Sequence, residues 1–253
     1  MLRAENLACT RGGCTILSDI DFTLEAGEVV AVLGNNGAGK STLLATLTGE
    51  LRPGAGQVWL GNHTLSSWAD DQRARHLAVL PQQSTLAFPF VAEEVVAMGR
   101  LPHDTGWQRD HEIIDEAMQA ADISHLRGRN YLTLSGGERQ RVHLARVLAQ
   151  VWQQPGACLL LDEPTASLDL AHQQVTLGQA RDFAAAGGSV LVILHDLNLA
   201  ARYADRILML HRGQMAALGK PWDVLQAKQI ADIFGVQVHV ERHPQQDCPL
   251  III

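Results

Sequence analysis

One glycine-rich stretch constrains the fold of this chain more than any other, the eight residues GNNGAGKS from Gly34 to Ser41. A continuous apolar run, Val29 to Leu33 (VVAVL), precedes it and is typical of a strand buried on both faces. Thr42 to Leu47 follows with helical spacing, and Gly49 marks the expected end of that helix. In this order of strand, loop and helix, the G-x-x-x-x-G-K-S pattern predicts a phosphate-binding loop.

The chemistry expected of the loop is anion binding. Its glycines let the backbone turn tightly with amides pointing inward, and the following helix adds the positive end of its dipole. We expect Lys40 to reach the β- and γ-phosphates of a nucleotide and the Ser41 hydroxyl to bind Mg²⁺. The residues predicted to contact the phosphates are Gly34, Asn35, Asn36, Gly37, Ala38, Gly39, Lys40, Ser41 and Thr42.

Composition limits the class of protein. The chain has 253 residues, 47% of them hydrophobic and 19% charged, which fits an α/β protein of one domain with an insertion, or of two small domains. Its net charge of −7 and the absence of a Lys/Arg run argue against a nucleic-acid partner. No stretch approaches the ~20 apolar residues that a transmembrane helix needs, and the polar start predicts no signal peptide.

The spacing of apolar residues predicts an α/β fold with a helical insertion. Strand patterns dominate residues 1–83 and 151–253, which we expect to form one nucleotide-binding core with a mixed sheet flanked by helices and an N-terminal antiparallel β part. Residues 84–150 are predicted to form an inserted α-helical subdomain. Its helical patterns run over Ala92–Gly99, Asp110–Ala121 and Gly137–Gln150.

Polar side chains at strand ends predict a second part of the same site. Asp162 follows the apolar run Cys158–Leu161, where a carboxylate can hold the metal ion of a bound nucleotide. Glu163, next in sequence, is placed to take a proton from an attacking water. Gln82 and His195 each follow a predicted strand and are expected to reach the γ-phosphate or that water, because ligands of such sheets bind at the carboxyl ends of the strands.

A second helix start offers anion-binding groups without an obvious use in its own site. Ser135-Gly136-Gly137 opens the helical pattern that runs to Gln150, so it presents a hydroxyl and free amides. Within the same chain, Lys40 is already expected to bind the phosphates of the nucleotide, so these groups have no evident role there.

These segments resemble the ATP-binding cassette (ABC) ATPases, and the resemblance covers essentially the whole chain. The motifs occur in the order of that family. They are the Walker A loop GNNGAGKS, the Q-loop Gln82, the signature LSGGE (Leu134–Glu138), the Walker B run CLLLDEP, the D-loop SLD (Ser167–Asp169) and the switch histidine His195. LSGGE is identical to the family signature and is the most specific of them.

The resemblance implies ATP and Mg²⁺ as cofactors and a head-to-tail homodimer as the working unit. Ser135, Gly136 and Gly137 of one copy would contact the γ-phosphate held by Lys40 of the other. Within each site, the resemblance implies nucleotide contact for Asp169 and a metal-binding role for Gln82 beside Ser41 and Asp162. Glu163, Gln82 and His195 would form the catalytic set.

Within the family, the stretch Leu86–Arg100 resembles the ATP-binding subunits of importers of iron-containing chelates, haem (hemin) importers most of all. That implies two membrane permease subunits, a periplasmic haem-binding protein and a peripheral location on the cytoplasmic face of the inner membrane. Ferric-siderophore and cobalamin importers remain alternatives. A non-transport ABC ATPase is a rival from another class, although the 93 residues between Lys40 and Leu134 leave no room for a long coiled coil.

Two positions depart from the family pattern. Asn35 stands where Walker A loops of the family commonly have proline, and we expect little effect because the glycines are retained. Cys9 occupies the position that we match to the usual adenine-stacking aromatic. A thiol cannot stack as a ring does, which leaves base contact weaker or supplied by a neighbour such as Arg11.

Overall fold

Twelve strands and nine α-helices form the computed structural model, which describes all 253 residues. The strands are β1 (Leu2–Arg11), β2 (Cys14–Leu24), β3 (Val29–Leu33), β4 (Ala55–Leu60), β5 (His63–Thr64), β6 (Leu77–Leu80), β7 (Cys158–Asp162), β8 (Ser189–Ile193), β9 (Arg206–His211), β10 (Gln214–Gly219), β11 (His239–Arg242) and β12 (Pro249–Ile252). The helices are α1 (Lys40–Thr48), α2 (Asp70–His76), α3 (Ala92–Ala97), α4 (Trp107–Ala120), α5 (Gly136–Val151), α6 (Leu170–Ala185), α7 (Leu197–Tyr203), α8 (Pro221–Val224) and α9 (Ala227–Phe234).

A six-stranded sheet in the order β10-β9-β3-β8-β7-β6 forms the centre of the molecule. All neighbouring pairs are parallel except β10 with β9. Because parallel strands end at the same edge, the residues that follow β6, β7 and β8 lie side by side. This topology brings Gln82, Glu163 and His195 to one place.

The central sheet is buried on both faces, and β3 shows why its sequence is apolar throughout. Val30 and Val32 belong to a cluster of 24 buried residues that also includes the inner face of the antiparallel sheet β2-β1-β4-β5. Val29, Ala31 and Leu33 belong to a second cluster of 44 buried residues on the opposite face. Successive side chains of a strand point to opposite faces, so a strand between two cores needs apolar residues at every position.

Only helices and 3₁₀ turns lie between β6 and β7, apart from an isolated bridge between Val91 and Asn130. The expected start of α4 at Asp110 is wrong by three residues, since the helix begins at Trp107 after Gly106, whose φ is 85°. The subdomain boundaries at 83/84 and 150/151 stay a prediction. None of the helices combines the length and the apolar character that crossing a membrane would require.

Candidate nucleotide-binding site

The phosphate loop, residues 34–39, lies between β3 and α1. Glycine is required at both of its ends: a Cβ on Gly34 would lie 2.4 Å from the Leu210 carbonyl oxygen, and one on Gly39 would lie 2.7 Å from Leu17 Cδ2. Gly39 is also the N-cap of α1, at φ 104°, and no side chain caps that helix end. The first amides of α1 therefore remain available to an anion.

Lys40 folds back onto the loop that precedes it. Its Nζ donates to the carbonyl oxygens of Gly34 at 2.7 Å and Asn35 at 3.1 Å, and the residue is only 7% exposed. Burial lowers the pKa of the Lys40 ammonium, while the nearby charges of Glu163 and Asp162 act in the opposite direction. The ammonium is thus held at the loop, where phosphate oxygens could replace neutral carbonyls as its partners.

The side chain of Asn35 does not point toward the centre of the loop. Its Nδ2 donates to the carbonyl oxygen of Ile233 in the last turn of α9, at 2.5 Å and 198 residues away in sequence. A proline at this position could not make that hydrogen bond. The substitution therefore adds a link between the phosphate loop and the C-terminal part of the chain, which the sequence did not reveal.

Asp162, the last residue of β7, has the properties expected of a metal ligand. It is 7% exposed, and its Oδ1 atom is buried without a hydrogen-bond partner. Burial, reinforced by the charge of Glu163, raises the pKa of the Asp162 carboxyl to about 6, against the effects of Lys40 and His195. An unpartnered carboxylate oxygen beside a phosphate loop fits Mg²⁺, which usually binds one or two carboxylates plus substrate phosphates. No cluster of three or more His, Cys, Asp or Glu side chains forms a metal cage elsewhere.

Glu163, Gln82 and His195 meet at the carboxyl ends of β7, β6 and β8. His195 Nε2 lies 2.5 Å from Glu163 Oε1, and Gln82 Nε2 donates to Glu163 Oε2 at 2.6 Å. Glu163 adopts φ 49°, a left-handed backbone conformation that costs free energy for a residue with a side chain. The three catalytic candidates thus form one hydrogen-bonded set, with the carboxylate at its centre.

The signature residues lie at the start of α5. Ser135 caps this helix: its Oγ accepts from the Glu138 amide at 3.3 Å, and Glu138 Oε2 accepts from the Ser135 amide at 2.7 Å. Gly137 packs so closely against the D-loop that a Cβ would lie 3.1 Å from the Ser167 carbonyl oxygen. Within one chain, no hydrogen bond joins these signature residues to the phosphate loop.

Asp169, expected at the nucleotide, is engaged elsewhere in this chain. It is the N-cap of α6: its Oδ1 accepts from the His172 amide at 2.9 Å and lies 2.7 Å from His172 Nδ1. Both contacts, with the amide bond first, lower the pKa of the Asp169 carboxyl. Nucleotide contact by this carboxylate stays a prediction.

The match of Cys9 to the adenine-stacking position is wrong. Cys9 is 1% exposed and lies in the apolar cluster between the two sheets, where its Sγ is 3.2 Å from Thr46 Oγ1. A side chain there cannot face a base. The alternation of Leu7 and Cys9 along β1 predicts this inward direction, and Arg11 at the end of the strand is exposed.

Comparison with known proteins gives the following matches. The profile of the ABC transporter family matches residues 17–166. A hemin import ATP-binding protein, HmuV, of Pseudomonas fluorescens is 58% identical over 100% of this chain and 99% of its own length. The proteins of the same name from Pseudomonas aeruginosa and Gloeobacter violaceus are 57% and 52% identical, over 100% of this chain and 99% and 94% of their lengths.

Solved structures confirm the predicted fold class. A metal-chelate type ABC transporter in an inward-facing conformation superposes with a TM-score of 0.83 at 27% identity, over 99% of this chain and 96% of that chain. A dimeric bacterial ABC transporter cassette superposes with a TM-score of 0.78 at 26% identity, over 87% and 98%.

Proposed function

The chain belongs to the ABC transporter family, and from that membership we propose that it is the ATP-hydrolysing subunit of a haem (hemin) importer. One observation of the structure carries the enzymatic part, the hydrogen-bonded set of Gln82, Glu163 and His195 beside the phosphate loop. Hemin as the cargo is supported by relatives named for hemin import that are 57–58% identical over nearly their full lengths.

In this proposal the loop amides and Lys40 bind the phosphates of ATP. The free amides of α1 and the Lys40 ammonium supply positive charge where the β- and γ-phosphates would lie. Ser41, Asp162 and Gln82 are the residues that would hold Mg²⁺. The ion would neutralise charge on the phosphate oxygens. The unpartnered Oδ1 of Asp162 is the observation that supports this assignment.

Glu163 is the proposed general base. It would take a proton from the water that attacks the γ-phosphate, and the donors Gln82 and His195 fix the direction of its carboxylate. In the present arrangement both carboxylate oxygens accept hydrogen bonds from these side chains. Each oxygen has one of these two partners, and the carboxylate has further lone pairs with which it can accept a hydrogen bond from a water.

We further propose that two copies pair head to tail, so that Ser135, Gly136 and Gly137 of one copy complete the site built on Lys40 of the other. The start of α5 makes no hydrogen bond to the phosphate loop of its own chain, so its first turn is free to bind an anion held by a second copy. The remaining proposed partners are two membrane permease subunits and a periplasmic haem-binding protein, with this subunit peripheral to the inner membrane.

ATP-dependent hemin uptake into proteoliposomes tests this function. The full importer, reconstituted with this subunit, should take up hemin only with MgATP, and Glu163→Gln in this subunit should abolish uptake. Vitamin B12 and a ferric siderophore serve as competing cargoes. Uptake of either one in place of hemin would assign the subunit to that importer class, and ATPase activity without any permease dependence would favour the non-transport alternative.

A further inference from the structure

Tyr131 and His143 form a polar pair inside the apolar core of the helical subdomain. Tyr131 is 1% exposed and belongs to the short turn that precedes the signature, while His143 is 3% exposed and lies in α5. The Tyr131 phenol oxygen is 2.8 Å from His143 Nε2 and 3.1 Å from the backbone oxygen of Ser84. The pair therefore contacts the segment that follows the Q-loop Gln82.

The direction of these hydrogen bonds follows from what each group can donate. The Ser84 carbonyl oxygen can only accept, so the Tyr131 hydroxyl donates its single proton to it. With the phenol proton donated to Ser84, we assign His143 as the donor to the phenol oxygen, in the neutral tautomer with its proton on Nε2. His143 Nδ1, buried and without a partner, agrees with this assignment because it would carry no proton.

The surroundings of the pair keep the histidine neutral. Burial, reinforced by the positive charge of Arg146, lowers the pKa of His143 from 6.5 to about 4. A second guanidinium, that of Arg139, lies over the Tyr131 ring at 5.3 Å from its centroid. A protonated His143 would therefore add a charge beside the Arg146 guanidinium within an apolar core.

We propose that Tyr131 and His143 are positioning residues that tie the segment behind Gln82 to the signature helix α5. Ser84 is two residues from Gln82, which donates to Glu163, and α5 starts with the residues that would complete the other copy's site. A displacement of Gln82 on nucleotide binding would thus reach the signature of the same chain. This inference rests on the proposed function, because it needs ATP and a second copy.

The backbone near Tyr131 strengthens the link. The Tyr131 amide donates to the Phe90 carbonyl oxygen at 2.8 Å, and Val91 forms a bridge with Asn130. The Tyr131 side chain adds a further attachment, and it is the one that reaches both Ser84 and α5. An apolar pair of similar volume could fill the same space, but it would fix neither the distance nor the direction of that attachment.

The test measures ATP binding and ATP-driven dimerisation separately, in a Glu163→Gln background that prevents turnover. Tyr131→Phe removes one hydroxyl and keeps the ring. His143→Leu removes the donor, and His143→Gln restores an N–H close to the position of Nε2. Tyr203→Phe is the matched control, since Tyr203 is half-buried and its hydroxyl makes no hydrogen bond. Monomer affinity for MgATP is read by titration and dimerisation by sedimentation.

We expect Tyr131→Phe and His143→Leu to weaken dimerisation by about tenfold or more, the effect of one lost buried hydrogen bond, with monomer affinity changed by less than about twofold. His143→Gln should recover most of the dimerisation, and Tyr203→Phe should resemble the background. Nitrogen-15 NMR of the histidine rings should show His143 as the Nε2–H tautomer.

Three results would overturn the inference. One is unchanged dimerisation in a folded Tyr131→Phe protein, another is an Nδ1–H tautomer, and the third is equal loss in His143→Gln and His143→Leu. Failure of the Glu163→Gln background itself to dimerise with ATP would instead refute the proposed head-to-tail site. In that case the tautomer measurement still tests the hydrogen bonds that join His143, Tyr131 and Ser84.

Discussion

His195 Nε2 lies 2.5 Å from Glu163 Oε1, a contact made between residues that follow two neighbouring parallel strands. His195 is the more exposed residue of the pair: its side chain is 50% exposed, and that of Glu163 is 15% exposed. A partly buried carboxylate that accepts a hydrogen bond from an accessible imidazole is well placed to receive a proton from a water. The exposed imidazole is placed to contact the group that the water attacks.

Lys40→Ala should weaken ATP binding itself. The Lys40 ammonium is buried at the loop and its present partners are neutral carbonyls, so phosphate would be its strongest partner. A charge-assisted contact of this kind contributes about 1.5–3 kcal/mol. Equilibrium titration with MgATP measures the loss, and an unchanged affinity would show that the phosphate site is misplaced.

Mixing two inactive variants, Lys40→Ala and Ser135→Arg, should restore part of the ATPase activity. If the two residues serve the same ATP from different chains, a heterodimer contains one intact site and one site with both changes. Each variant alone is the control. No recovery in a heterodimer verified by differential tagging would contradict independent composite sites.

Asn35→Ala should destabilise the nucleotide-free protein without much effect on ATP affinity. The change removes the hydrogen bond to Ile233, a partly buried link worth about 1 kcal/mol, while the loop amides and Lys40 remain. Chemical denaturation measures the free energy of unfolding. Asn36→Ala is the matched control, because Asn36 is adjacent, exposed and free of side-chain hydrogen bonds. Equal stability of the two variants would show that the link contributes nothing.

The free energy of unfolding should fall as the pH drops from 6.5 to about 4, partly because of His143. The pKa of this histidine is lower in the folded than in the unfolded chain, so its contribution is complete above pH 6.5 and is lost as the unfolded chain takes up a proton. The difference corresponds to about 3 kcal/mol. His143→Gln should flatten this part of the pH profile, and an unaltered slope would contradict a neutral buried histidine.

The sequence predicted the central part of this fold because its signals are local. The bounds of β3 agree with the prediction, since its continuous apolar run ends at Gly34, the first residue of the glycine-rich loop. The sequence also predicted the end of α1 at Gly49, which is a left-handed C-cap. The start of α4 was missed because Gly106 in a positive-φ conformation, rather than a polar cap, precedes it.

Contacts between distant parts of the chain could not be predicted from such local signals. The bond from Asn35 to Ile233 joins residues 198 positions apart, and nothing near either residue indicates the other. Likewise, Tyr131 and His143 look like ordinary core and surface residues until α5 places them together beside Ser84. Cys9 is different. The alternation along β1 predicts that its side chain points inward, but we gave more weight to the match with a motif position.

Glu163→Gln tests the central claim most directly, since the amide keeps the shape of the side chain and removes its basicity. With Lys40, Ser41 and Asp162 intact, ATP should still bind, and the ATP-bound dimer should accumulate. The account predicts that the hydrolysis rate, measured as phosphate release at saturating MgATP, falls by about 10²–10⁴. Turnover near the wild-type rate in this variant would contradict it and remove Glu163 from the role of general base.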